Sequence, residues 1–191
     1  MGKNRIEAFS DGVIAIIITI MVLELKVPHG EGIETLLPLI PVFLSYVLSF
    51  VYLGIYWNNH HHMLQAAKHV SGGVLWANMH LLFWLSLIPF VTAWMGENGI
   101  WTAPVAAYGA VLLGCSIAYY ILSKALIKVN GDDSALARAI GKDVKGLAST
   151  AAYVAAMVFA FFAPVVSCVL YVIVALVWLV PDRRIERVEI G

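Results

Sequence analysis

The chain has 191 residues, 61% of them hydrophobic and only 13% charged, with a mean hydropathy of +0.86, which excludes a soluble domain with an ordinary polar surface and makes lipid its solvent. Twelve basic and twelve acidic residues cancel, so no overall field draws nucleic acid, and charge informs only through where it lies. The two cysteines, Cys115 and Cys168, sit inside apolar runs, where a thiol packs as a small hydrophobe.

Crossing the hydrocarbon core takes about 20 mostly apolar residues. Six stretches are predicted as spans: 5–25, 36–57, 74–95, 102–122, 147–163 and 165–180. The first follows Lys3 and Arg5 but carries Asp11 and Glu24 and lacks a small-residue cleavage site, so it is expected to stay in the mature protein. It alone among the spans holds carboxylates, Glu7, Asp11 and Glu24. A charge at a helix centre costs roughly 2.5 to 3.5 kcal/mol on insertion scales, so such a group needs a partner or water. At about 100° per residue, Gly12, Ile16, Thr19, Ile20, Leu23 and Val27 share one face, and Asp11 points about 140° from Ile16. That face is apolar except for one hydroxyl.

The second span ends in the run from Tyr56 to Gln65, with Asn58, Asn59 and three consecutive histidines, His60, His61 and His62. Adjacent helical residues point about 100° apart, so the three rings do not converge on one metal ion; an interfacial cluster or a hydrogen-bond partner for Asp11 are the stronger readings. Asn78 and His80 on the third span are expected to satisfy neighbouring helices. Trp57, Trp94, Trp101 and Trp178 fall at or near predicted span ends, as interfacial anchors do. Small residues recur at Ala106, Ala110 and Gly114 on the fourth span and at Ala148, Ala152, Ala156 and Ala160 on the fifth, a spacing that lets helices approach closely. Between these spans, 123–146 is the long polar connection, with a short amphipathic helix expected over 134–145. Pro164 divides the last apolar run into two short spans.

With six spans, one side of the membrane collects Lys3, Arg5, Lys68, Lys124, Lys128, Arg138, Lys142, Lys145, Arg183, Arg184 and Arg187, and the other only Lys26, eleven of the twelve basic residues against one. Cytoplasmic loops collect Lys and Arg, so both termini are expected in the cytoplasm and the chain in the cell membrane. No Gly-rich phosphate loop, H-E-x-x-H, G-x-S-x-G or T-V-G-Y-G sequence is present. Composition alone leaves channel, transporter and scaffold open; a proton-coupled or metal-ion transporter would use Asp11 and the histidines.

Arg5, Phe9, Ser10 and Asp11, spaced R-x-x-x-F-S-D at the start of the first span, resemble the signature of the transmembrane protein 175 family of potassium channels. Trp57, His60 and His61 in W-x-x-H-H spacing, and the run from Leu85 to Phe90, are similar to other stretches of that family. The resemblance implies an all-α integral membrane protein of one six-helix domain, assembled as a homotetramer in the bilayer. It implies a central pore lined by the first helix of each subunit. The hydrophobic constriction then falls on Ile16, with Ile20 and Leu23 on the same lining, and a selectivity-related hydroxyl ring on Thr19. Arg5, Phe9, Ser10, Asp11, Trp57, His60 and His61 would be the structural motif. Such a protein conducts potassium passively, is not an enzyme and needs no cofactor, metal or nucleic acid; potassium is the permeant ion. Four Ile16 side chains would exclude water unless they part, and four Thr19 hydroxyls would replace part of a cation's hydration shell.

Overall fold

The computed structural model describes residues 2–141 and 143–179, and all regular structure among them is helical. In chain order the α-helices are α1 (Lys3–Leu23), α2 (Ile40–Ala66), α3 (Gly72–Ser86), α4 (Ile88–Asn98), α5 (Thr102–Asn130), α6 (Ala135–Ile140), α7 (Val144–Phe159) and α8 (Pro164–Leu179). A 3₁₀ segment, Ile33–Leu39, leads into α2, whose second residue, Pro41, has no N–H to lose in a first turn. Four helical stretches are long and apolar enough to cross a membrane, Lys3–Leu23, Ile33–Ala66, Gly72–Asn98 and Thr102–Asn130. The chain is therefore a multi-pass membrane protein.

Three sequence expectations change. The predicted third span, the single stretch Gly72–Asn98, is built of two helices that meet at Leu87, because Pro89 in the first turn of α4 cannot donate to the carbonyl one turn back. The second span does not stop at Trp57. Helix α2 runs on to Ala66, since Asn59 bonds back to the carbonyl of Ile55 at 2.8 Å and His60 to Gln65 find partners on α1 and α3. Trp57 therefore lies inside a helix, nine residues before its end. The connection expected to carry a helix over 134–145 holds only α6, capped by the Ser134 hydroxyl at its start and closed at Gly141, whose φ of 53° suits a residue without a Cβ. Lys142, Val180 and the basic residues Arg183, Arg184 and Arg187 lie outside the described residues.

The last apolar run divides at Pro164, which opens α8 after α7 has ended at Phe159. The two helices join where the Ser167 hydroxyl donates to the Ala156 carbonyl at 2.6 Å. Hydroxyls thread the rest of the core. Ser49 of α2 bonds Thr92 of α4 at 2.6 Å and Tyr108 of α5 at 2.9 Å, while Tyr52 donates to the Tyr171 carbonyl and Tyr171 to that of Val105. In hydrocarbon, buried polar groups with internal partners of this kind lock helix to helix. Cys115 is fully buried and Cys168 half-buried, both as free thiols.

Candidate functional site

Helix α1 has two sides. Ile6, Ser10, Ile14, Ile17 and Met21 form a buried stripe at spacings of three and four, and α1 packs it against α2, α3 and α4. Opposite that stripe, Phe9, Gly12, Thr19 and Ile20 are exposed, as are Ile16 at 58% and Leu23 at 76%. The single chain thus leaves uncovered the face that holds the candidate constriction residues. The Thr19 hydroxyl donates to the Ile16 carbonyl at 2.9 Å. Its proton is committed to the backbone, and the oxygen lone pairs are what it offers outward.

Ser10, Asp11, Trp57, His60 and His61 of the candidate motif tie α1 to its neighbouring helices. Ser10, fully buried, donates to the Ile6 carbonyl at 2.8 Å and accepts from Asn78 Nδ2 at 2.9 Å. The amide of Asn78 is completed by His60, whose Nε2 lies 2.7 Å from Asn78 Oδ1. Because the Asn78 oxygen only accepts, Nε2 carries the proton, and the buried Nδ1 has no hydrogen-bond partner among the described residues. One residue from each of α1, α2 and α3 therefore meets in a relay that fixes the rotation of α1.

Asp11 is held separately. Its Oδ1 accepts from Trp57 Nε1 at 2.9 Å, so the indole and not a histidine is its partner. His61 stacks on Trp57, centroids 6.1 Å apart, and places Nδ1 3.0 Å from Glu7 Oε1, which also accepts from Gln65 Nε2 at 3.2 Å. His62 rests edge-on against His61. Glu7 and Gln65 escape a sequence reading because 58 positions separate them. Arg5 is exposed and forms no ion pair among the described residues; Phe9, although within the motif, joins the uncovered face. His80 differs from Asn78, since it accepts from Trp84 on its own helix at 3.0 Å. No group of three or more His, Cys, Asp or Glu side chains among the described residues is arranged to hold a metal ion.

At the other end of α1, Lys26 Nζ meets Glu97 Oε1 at 2.7 Å. The Glu97 carboxylate holds the exposed ammonium above its ordinary pKa. This pair joins the loop after α1 to the end of α4. Between those helices runs a groove of about 790 Å³ lined by Val13, Ile16, Ile20, Phe90 and Trp94.

Residues 5–89, which contain the whole α1 anchor, match the family described as Endosomal/lysosomal potassium channel TMEM175. A Chryseobacterium sp. (strain P1-3) protein named as a potassium channel is 52% identical over 187 residues, 98% of this chain and 97% of that one. A chicken (Gallus gallus) protein named as an endosomal/lysosomal proton channel, TMEM175, is 40% identical over 73 residues, 32% of this chain and 15% of its own length. Among solved structures, a lysosomal potassium-selective channel TMEM175 homolog from Chamaesiphon minutus superimposes with a TM-score of 0.79 at 28% identity, over 94% of this chain and 97% of that one. Identity at this level over nearly the full length of both chains, together with the shared fold, makes this chain a member of the TMEM175 family.

Proposed function

We propose that the chain is one subunit of a potassium-selective channel that conducts passively, without a backbone-carbonyl filter. The observation that carries this reading is the 52% identity, end to end, to a protein named as a potassium channel. The finer reading is a homotetramer in the cell membrane, each subunit a single six-span domain with both termini cytoplasmic. In it α1 of each subunit lines the pore, Ile16 narrows it with Ile20 and Leu23 beside it, and Thr19 supplies oxygen to the ion.

Two features support the finer reading. Helix α1 seals one stripe against its own subunit and presents to the outside an apolar face with one hydroxyl. The motif residues Ser10, Asp11, Trp57, His60 and His61 have partners within the subunit, so their task is to hold α1 and not to meet the ion. As for six spans, α7 and α8 have 16 residues each and reach about 24 Å at 1.5 Å per residue, enough to cross if they stand nearly upright in a locally thinned bilayer.

The name of the chicken relative favours a second reading, protons as a permeant species. Purified protein in liposomes decides between them. A potassium gradient should drive flux that an equal sodium gradient does not match. Flux that follows only an imposed pH gradient would replace potassium by protons, and no flux under any gradient would end the channel reading.

A further inference from the structure

Helices α3 and α5 pack closely, yet they leave a groove of about 600 Å³ on the outer surface of the bundle. Its floor and walls are small and apolar: Gly73, Val74 and Ala77 from α3, Ile121 and Ala125 from α5. Gly73 is not there to let helices touch. A Cβ on it would meet only the Ser71 hydroxyl at 3.8 Å, so the missing side chain leaves open space. Lys128 stands at the Gly73 end, exposed, with no ion pair or hydrogen bond among the described residues. Trp76, 80% exposed, flanks the groove near that end.

The chemistry changes along the groove. Ile121 lies seven residues, about 10 Å, before Lys128 on α5. His80 is at that depth on α3 and accepts a hydrogen bond from Trp84; a nitrogen that accepts is unprotonated, so the ring adds no charge. One end therefore offers a cation without an ion pair among the described residues beside an amphipathic indole, and the other a neutral apolar slot. A membrane bathes both.

We propose that this groove holds one anionic phospholipid, its phosphate against Lys128 and an acyl chain along Ala77 and Ile121. Charge complementarity selects the occupant. The cation has no ion pair among the described residues, an anionic headgroup supplies one at the membrane surface, and the apolar walls begin where its acyl chains begin. Lys124, one turn deeper on α5, is the internal contrast. Its ammonium already sits over the Tyr120 ring, 5.3 Å from the centroid, and it does not line the groove.

The test is native mass spectrometry of the purified full chain in mild detergent, titrated with dioleoyl phosphatidylglycerol and separately with dioleoyl phosphatidylcholine. Phosphatidylglycerol should show one tight lipid per chain that phosphatidylcholine does not match. Lys128→Gln should weaken that binding about fivefold, the worth of one basic side chain at an anionic surface, while Lys124→Gln leaves it unchanged. Gly73→Leu, whose Cβ enters open space, should reduce binding of phosphatidylglycerol even with Lys128 intact. Equal binding of the two lipids, no effect of Lys128→Gln, or the same loss in Lys124→Gln as in Lys128→Gln would each overturn the proposal, the last by reducing it to diffuse surface charge.

Discussion

Thr19 and Ile16 neighbour one another on the uncovered face of α1 but would serve the ion in different ways. Thr19→Val keeps the branched shape and removes the oxygen, so under mixed potassium and sodium the reversal potential should move toward the unselective value; if it stays, Thr19 only bonds the Ile16 carbonyl. Ile16→Asn places a polar group at the proposed constriction and should raise leak conductance in bilayers, because a wetted ring no longer excludes water. Unchanged conductance would make Ile16 an ordinary lipid-facing or packing residue. Asp11 poses the opposite question, whether a charge near the entrance of the proposed pore acts on the ion or on the helix. Its 2.9 Å bond from Trp57 Nε1 argues for the helix. Asp11→Asn weakens a charge-assisted bond and should lower the yield of the proposed tetramer in size-exclusion chromatography, with ion preference spared. Intact assembly with a conductance loss that grows at low salt, where a mouth charge is least screened, would reverse that assignment.

Helix faces were more legible than helix contacts. The apolar face of α1 follows from a period of 3.6 in consecutive residues, and Gly12, Ile16, Thr19, Ile20 and Leu23 are exposed together as the wheel puts them, while Val27 falls beyond the helix end. The bond from Trp57 to Asp11 was not legible, because nothing local says that α2 continues nine residues further or that Asp11 waits 46 positions away. The relay of Ser10, Asn78 and His60 was out of reach for the same reason, since its links span 68 and 18 positions. Glycines show how packing sets the outcome of one substitution chemistry. On α4, a Cβ at Gly96 would come within 2.7 Å of the Ser45 hydroxyl and 2.9 Å of the Val42 Cα, a backbone atom of α2 that cannot step aside. Gly96→Ala should therefore cost about 1 to 3 kcal/mol through overpacking, outweighing a gain in helix propensity of about 1 kcal/mol or less. Gly54→Ala on α2, where a Cβ meets nothing within 4 Å, keeps only that gain. Thermal unfolding in detergent should move down for Gly96→Ala and up for Gly54→Ala. A rise for both would mean that α2 and α4 separate at no cost.

Across the whole molecule the basic residues gather at one end. Lys3 Nζ donates to the Gln65 carbonyl at 3.3 Å, which brings the start of α1 to the end of α2. The backbone N–H groups of Lys68 and His69 both donate to Asn130 Oδ1 at 2.8 Å, which adds the end of α5. Lys145, at the start of α7, lies over the Trp178 ring with its Nζ 4.5 Å from the centroid, which adds the end of α8. Lys26 sits with Glu97 at the opposite end, where α1 finishes and α4 finishes. Even without the residues beyond 179, one end of the bundle carries many cations and the other a single one already paired. Positive charge is retained on the cytoplasmic side during insertion, so the end with Lys3, Lys68 and Lys145 should face the cytoplasm, and α6 with it. A cysteine at Ser134, the half-buried cap of α6, reads this directly with a membrane-impermeant maleimide. Intact cells should leave Ser134→Cys unlabelled and permeabilised cells should label it, while Glu31→Cys, in the loop after α1, should label in intact cells. The unsubstituted chain gives the background, since Cys115 is fully buried and Cys168 is half-buried within α8. Labelling of Ser134→Cys from outside would invert the orientation; labelling of both sites from outside would put the two ends of the bundle on one side of the membrane, and the six-span arrangement would fall with it.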